Sequence, residues 1–105
     1  MSAFRELDPL LHSQLRLSIV SLLMGVKSAE FTYLAEKTGA TKGNISVQLK
    51  KLEEAGYIAI RKSFRDNYPL TTCSITLKGR EAFIGYVDSL RDYLGTRDEG
   101  QGTSD

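Results

Sequence analysis

The chain has 105 residues, of which 41% are hydrophobic and 26% are charged, as is typical of one soluble globular domain. Its 14 basic and 13 acidic residues give a formal net charge of +1, which taken alone argues against a nucleic-acid-binding protein, because such proteins are usually basic. The longest mostly apolar run, residues 19–26, is shorter than the roughly 18–20 residues that cross a bilayer, and the N-terminal residues lack the pattern of a secretory signal.

The first predicted helix covers about residues 9–25. Asp8 is typical of an N-cap and Pro9 of the first helical position, because proline has no N–H to satisfy there. Gly25 marks the C-terminal end. Apolar residues recur at helical spacing through this segment: Leu11, Leu15, Ile19, Leu22, Leu23 and Val26.

Two further helices follow in close succession. The segment FTYLAEKTG, residues 31–39, predicts a short helix with Thr32 as its N-cap and Gly39 as its stop. Thr41 is the predicted N-cap of a third helix that ends at Gly56. The apolar seam of that third helix consists of Ile45, Leu49 and Leu52.

The hydrophobic period then changes to that of strands. Residues 57–62 and 71–76 predict the two strands of a β-hairpin, joined by a polar turn over residues 64–70. A last helix covers about residues 78–94, and residues 95–105 contain no apolar side chain and predict a disordered tail. The predicted fold is mainly α with a small β-hairpin.

A short helix joined by a tight turn to a longer one predicts a helix-turn-helix, whose second helix can enter the DNA major groove. The turn is Gly39-Ala40-Thr41. Asparagine and glutamine side chains can pair with adenine, and an exposed valine can contact a thymine methyl group. The outward residues of the first two turns are Lys42, Gly43, Asn44, Ser46, Val47 and Gln48, and Lys50 and Lys51 follow where phosphates are expected. A solvated face on a purely structural helix is the alternative for this segment alone, and the turn spacing and hairpin favour DNA.

The stretch from Phe31 to Lys62, continuing through the hairpin into SITLKGRE, resembles short, single-domain winged-helix transcriptional regulators of the MarR/ArsR-like type. The matching motifs are L-A-x-x-T-G, N-I-S-x-x-L-x-x-L-E-x-x-G-Y and T-x-x-G-R-E, and the resemblance covers about residues 10–94. It implies a winged helix-turn-helix domain over residues 1–94, with a three-helix core, a two- to three-stranded wing and a C-terminal dimerisation helix.

The resemblance also implies which residues contact DNA. The recognition helix, about residues 41–55, would read the major groove, and the wing, about residues 61–72, would lie on the backbone or minor groove. Arg65 is the strongest minor-groove candidate, because a narrow A·T groove concentrates negative potential, and an ordinary solubilising arginine is its alternative. The recognition positions are Thr41, Lys42, Asn44, Val47 and Gln48, and the wing positions are Arg61, Lys62, Arg65 and Asn67.

The last helix carries a heptad-like apolar seam. Packing of this stripe on the first helix is one explanation, but a domain of this size has little core to cover all of it. We therefore expect a two-fold homodimer through the last and N-terminal helices, which would read palindromic half-sites. The interface residues are Phe83, Tyr86, Val87, Leu90, Tyr93 and Leu94.

Other functional classes find no support in the residues. With one cysteine, Cys73, and one histidine, His12, the sequence excludes an internal disulfide and a zinc-type cluster, so we expect no metal, no cofactor and a reducing, cytoplasmic location. We expect a surface or interface role for His12 and a strand role for Cys73 rather than redox sensing. No catalytic motif is present, and the chain is shorter than regulators whose extra helices frame an effector pocket, so neither catalysis nor a small-molecule effector is expected.

Counting charge by segment changes the meaning of the near-neutral total. Residues 37–80 hold nine basic and three acidic residues, a net charge of +6, and the rest of the chain carries −5. The sequence therefore predicts a double-stranded-DNA-binding regulator that acts as a repressor at a palindromic operator. The alternative is a winged-helix protein-interaction module without DNA contact.

Overall fold

The computed structural model describes residues 4–95, which form four helices and a three-stranded sheet. This architecture confirms the predicted fold class. The tail predicted for residues 95–105 lies outside the described residues, except for Gly95. In chain order the elements are α1 Gln14–Met24, β1 Ala29–Glu30, α2 Phe31–Thr38, α3 Lys42–Glu54, β2 Ile58–Arg65, β3 Tyr68–Ile75 and α4 Leu77–Leu94.

Helix α1 begins later than its sequence predicts. Its N-cap is Ser13, and Asp8 instead caps a separate turn, in which Asp8 Oδ1 accepts a hydrogen bond of 2.8 Å from the Leu10 N–H. The second carboxylate oxygen of Asp8 accepts a 2.5 Å hydrogen bond from the hydroxyl of Tyr57. The prediction of one continuous helix from Pro9 was wrong, because Asp8 is held by a contact 49 residues away and a second capping residue starts the helix proper.

Helix α2 begins directly after a short strand that the sequence does not reveal. Its N-cap is Glu30, which makes no side-chain capping bond, so the prediction of Thr32 as N-cap was wrong. Glu30 is also the last residue of β1, which pairs with β3 through Ala29↔Cys73 and Glu30↔Thr72. A two-residue strand is too short to show a hydrophobic period in the sequence. It is recognised as a strand only through its pairing with β3.

The turn and helix that follow agree with the prediction. Gly39 ends α2 in the left-handed conformation, with φ of 74°, which glycine adopts without steric cost. Thr41 caps α3, and its Oγ1 accepts a 3.1 Å hydrogen bond from the Asn44 N–H. The seam predicted for α3 is buried.

The hairpin is longer and its turn tighter than predicted. Strands β2 and β3 pair continuously up to Arg65↔Tyr68, so Asp66 and Asn67 alone form the turn, both with positive φ as in a two-residue hairpin loop. Pro69 fits within β3 because β1 reaches only Thr72 and leaves this end of the strand with an open edge.

The hydrophobic core joins the helices to the base of the hairpin, and the outer half of the hairpin extends beyond it as a wing. Helix α4 packs closely on the chain after α3, since a Cβ added at Gly79 would lie 2.0 Å from the carbonyl oxygen of Tyr57. Within residues 4–95, none of the helices combines the length and apolar character that a bilayer span requires. The buried apolar residues are Leu11, Ile19, Val20, Leu23, Ala29, Leu34, Ile45, Leu49, Leu52, Ile58, Cys73 and Tyr86.

Candidate nucleic-acid interface

The N-terminal half of α3 presents most of its predicted contact residues on one exposed face. Because Ile45, Leu49 and Leu52 face the core, the positions between them face solvent. Val47 is 52% exposed, although it is apolar. The exposed members of the predicted set are Thr41, Lys42, Asn44, Ser46, Val47, Lys50 and Lys51.

Gln48 differs from these residues, because it is half-buried and tied to α1. Its Oε1 accepts a 2.5 Å hydrogen bond from Nη1 of Arg16, and its Nε2 donates a 3.0 Å bond to Oδ1 of Asn44. Arg16 also donates through Nε to the carbonyl oxygen of Leu10, at 2.6 Å. The sequence reasoning missed Arg16, because no local pattern links two residues 32 positions apart.

Lys62 is the wing residue that faces α3. A groove of about 560 Å³ separates the two elements, and Ser46 and Lys50 line it from α3 while Ile60 and Lys62 line it from β2. The groove therefore has a lysine on each wall, and Glu53 of α3 also lines it.

The remaining wing residues do not share that surface. Successive strand residues point to opposite faces, so Arg61 and Arg65 lie on the face away from Lys62. Arg65 Nη2 lies 2.6 Å from Oε2 of Glu30, but both side chains are exposed, so this ion pair contributes little to stability. Asn67 occupies the turn with φ of 71°, so its backbone conformation shapes the loop.

The tip of the wing exposes two aromatic side chains that the sequence reasoning did not select. Phe64 is 75% and Tyr68 is 74% exposed. Both were assigned to a polar turn, and their aromatic character was the available signal. Phe64 shares the hairpin face of Lys62, and Tyr68, paired with Arg65, lies on the opposite face.

Several of the basic residues in the central segment are engaged within the chain. The ammonium groups of Lys37 and Lys78 lie 5.8 Å from the ring centroids of Tyr33 and Tyr57, respectively. Lys50 lies 3.9 Å from Glu54, but both side chains are exposed, so this pair contributes little to stability. The exposed cations around α3 and the wing are Lys42, Lys50, Lys51, Arg61, Lys62 and Arg65.

One side of α4 is covered by the N-terminal segment. Arg5 lies 2.8 Å from Asp88 and 3.1 Å from Asp92, and the Phe4 and Tyr93 rings stack with centroids 4.7 Å apart. Tyr93 remains half-exposed beside this contact.

The residues predicted for the dimer interface divide between core and surface. Tyr86 is buried, and its hydroxyl lies 3.1 Å from Nδ1 of His12, so this side chain stabilises the monomer. Phe83 and Leu90 also pack partly against the core. Ile84, which the sequence reasoning missed, is 56% exposed and lines a shallow groove of about 390 Å³. The residues that line this groove are Met24, Phe83, Ile84, Gly85, Val87, Asp88 and Arg91.

Cys73 lies in the core between β1 and β2. Burial, together with the negative charge of Glu53, raises the pKa of its thiol to about 11. The thiolate that redox sensing requires is therefore scarce at neutral pH. Across residues 4–95, no three His, Cys, Asp or Glu side chains gather into a group that could hold a metal ion.

Residues 15–94 match the model of a family described as winged helix DNA-binding domain. The uncharacterized protein MJ0432 of Methanocaldococcus jannaschii is 43% identical over 76 residues, which cover 72% of this chain and 83% of that protein. The transcriptional regulator homologue protein from Pyrococcus horikoshii OT3 has a TM-score of 0.77 and 27% identity, covering 86% of this chain and 89% of that one. The transcriptional repressor CouR, solved with a 23-mer DNA duplex, has a TM-score of 0.71 and 21% identity over 85% of this chain and 62% of that one, a likeness of fold alone.

Proposed function

Because the chain belongs to the family of winged helix DNA-binding domains, we propose that it is a transcriptional repressor that binds a palindromic operator as a homodimer. The observation that carries this proposal is the exposed face of α3, where amide, hydroxyl and apolar side chains lie between lysines and beside Lys62 of the wing. Such a face combines base-reading groups with phosphate-binding charge.

On DNA, the N-terminal half of α3 would lie in the major groove. Asn44, Ser46 and Val47 would then meet base edges, while Lys42 and Lys51 would contact the flanking phosphates. The N-terminal end of a helix favours a phosphate through its free N–H groups and its dipole. The groove lysines, Lys50 and Lys62, would follow the backbone on either side.

The homodimer would form through α4. Its free side carries the exposed Ile84 beside Val87, and Leu94 is exposed at its C-terminal end. A two-fold dimer places two recognition helices about one turn of DNA apart, which matches a palindrome.

Selection of duplexes from a random pool is the experiment that tests this proposal. We expect the selected sites to be palindromic, and their affinity to fall steeply with salt concentration because lysines displace counterions from the phosphates. Failure of the folded protein to enrich any sequence would contradict the proposal.

Two substitutions on α3 separate base reading from phosphate binding. We expect Asn44→Ala to weaken binding to the selected site by about 1–3 kcal/mol and to relax the preference at one base pair. Lys51→Ala should weaken binding to all duplexes alike and reduce the slope of affinity against salt by about one. Titrations at several salt concentrations measure both, and identical effects of the two changes would contradict the assignment.

A protein-interaction module is the second candidate function, and the exposed Phe64 and Tyr68 at the wing tip favour it. Aromatic side chains are enriched where proteins dock. The same selection distinguishes the two candidates, since a docking module would enrich no duplex.

A further inference from the structure

We infer that Arg16 of α1 is a positioning residue that makes Asn44 present its side-chain NH₂ group, rather than its oxygen, to a DNA base. This inference rests on the DNA-binding function proposed above and names the kind of base edge that the site selects. It arises from the hydrogen-bond chain that joins Arg16, Gln48 and Asn44.

The guanidinium of Arg16 is anchored at two points. Its Nε donates to the Leu10 carbonyl oxygen at 2.6 Å, and its Nη1 donates to Oε1 of Gln48 at 2.5 Å. Leu10 belongs to the turn that Asp8 caps, so the anchor itself is held by local structure. The half-buried Arg16 side chain is thus held in place beside α3, where it donates a hydrogen bond to Gln48.

Because arginine only donates hydrogen bonds, all the bonds from Arg16 through Gln48 to Asn44 are donated in the same direction. A guanidinium has five N–H donors and no acceptor, so only the oxygen of the Gln48 amide can face it. The Gln48 NH₂ group therefore points to Asn44, where it donates to Oδ1 at 3.0 Å. Asn44 is left with its own NH₂ group directed away from Gln48. Without Arg16, both amides could turn over together and present oxygen instead.

An outward NH₂ group distinguishes between base edges in the major groove. Guanine offers N7 and O6 as acceptors, adenine N7 and thymine O4, whereas cytosine offers only the N4 donor. The base opposite Asn44 is therefore a purine or thymine, and cytosine is rejected.

The first test replaces Arg16 by methionine, which keeps an unbranched apolar stem and removes the donors. Wild-type protein should bind a duplex with cytosine opposite Asn44 about tenfold more weakly than the selected duplex, and Arg16→Met should reduce this ratio to about two- or threefold. Lys27→Met removes the same charge beyond the other end of α1 and should keep the tenfold ratio. An unchanged ratio in Arg16→Met overturns the inference.

The second test keeps Arg16 and its contact with α3. In Gln48→Glu, one carboxylate oxygen accepts from Arg16 and the other faces Asn44, which must then donate its NH₂ group inward and expose Oδ1. The preference should shift toward cytosine, whose major-groove edge offers only a donor. Because the two affinities are compared within one variant, the added negative charge cancels. A preference that stays as in wild type overturns the inference, even if Arg16→Met fails to fold.

The failure of this inference differs from the failure of the proposed function. Wild-type protein that binds no duplex selectively would refute DNA reading altogether. Wild-type protein that binds selectively, with a base preference that neither substitution alters, would refute the role of Arg16 alone.

Discussion

Cys73 shows how burial decides the chemistry of a single residue. Its Cα is paired with Ala29 on one side and Ile60 on the other, in the middle of the sheet. Burial disfavours the charged thiolate, and the carboxylate of Glu53 adds to the effect, so the pKa rises from an ordinary value of 9.0 to about 11. A raised pKa means that the folded protein holds its proton more tightly than the unfolded chain.

Alkylation by iodoacetamide tests this description of Cys73. At pH 7.5 we expect the folded protein to react far more slowly than the protein unfolded in urea, because it has little thiolate and its sulfur is buried. The stabilisation linked to the neutral thiol is complete below pH 9 and is lost as the pH rises through about 11. Mass spectrometry of timed samples measures the rate, and rapid labelling of the folded protein at pH 7.5 would contradict the buried, neutral thiol.

At the scale of the elements, α4 is positioned by a close backbone contact. Thr76 caps α4 and also donates from its hydroxyl to the carbonyl oxygen of Gly56, at 2.6 Å, while Gly79 lies against the backbone of Tyr57. These contacts join the start of α4 to the chain that follows α3. The packing angle of α4 therefore depends on Gly79, since any side chain at that position would collide with Tyr57.

We expect Gly79→Ala to destabilise the protein by about 3 kcal/mol or more, because its Cβ would lie 2.0 Å from the Tyr57 carbonyl oxygen and the backbone must move. Gly43→Ala in α3 is the control, because Gly43 lies outside the proposed dimer surface. Its Cβ would meet nothing within 4 Å, so it should stabilise by about 0.5–1 kcal/mol through helix propensity. Urea unfolding at one protein concentration measures both, and equal stabilities of the two variants would contradict the close contact.

For the whole molecule, the positions of the charged and apolar side chains say more about binding surfaces than the net charge or the overall composition does. The net charge of +1 combines a basic central segment with acidic flanks. In the fold, Lys50 of α3 and Lys62 of the wing line one groove, whereas Arg5 with Asp88 and Asp92 neutralises charge on α4. The proposed DNA surface and the proposed dimer surface thus occupy different elements.

We expect Ile84→Glu to convert the dimer into a folded monomer, because it places a charge in the apolar face of α4 that the partner would cover. Sedimentation at tens of micromolar should give the mass of two chains for wild type and of one for the variant. Tyr33→Glu adds the same charge on α2 and should leave the dimer intact. A monomeric wild-type protein would contradict the dimer, and affinity for a palindromic site should fall with Ile84→Glu.

Features that depend on near neighbours in the chain could be predicted from the sequence. Gly39, Thr41 and the seam of α3 were recognised because a cap or a helical period involves residues three or four positions apart. The same helical period identifies the exposed face of α3 that we propose reads bases, since the positions between the seam residues must face outward. The local pattern predicts too early a start for α1. Asp8 has the features of a helix N-cap, but its hydrogen-bond partner, Tyr57, is remote in the sequence.

The sequence by itself determined the order of the four helices and the hairpin, the helix-turn-helix and the concentration of basic residues between positions 37 and 80. Tertiary structure alone decided the hydrogen bond from Arg16 to the Gln48 amide and the pairing of Arg65 with Glu30, over separations of 32 and 35 residues. It also moved Tyr86 from the expected interface into the core. The physical reason is that these contacts depend on which surfaces pack together, and packing depends on all the elements at once.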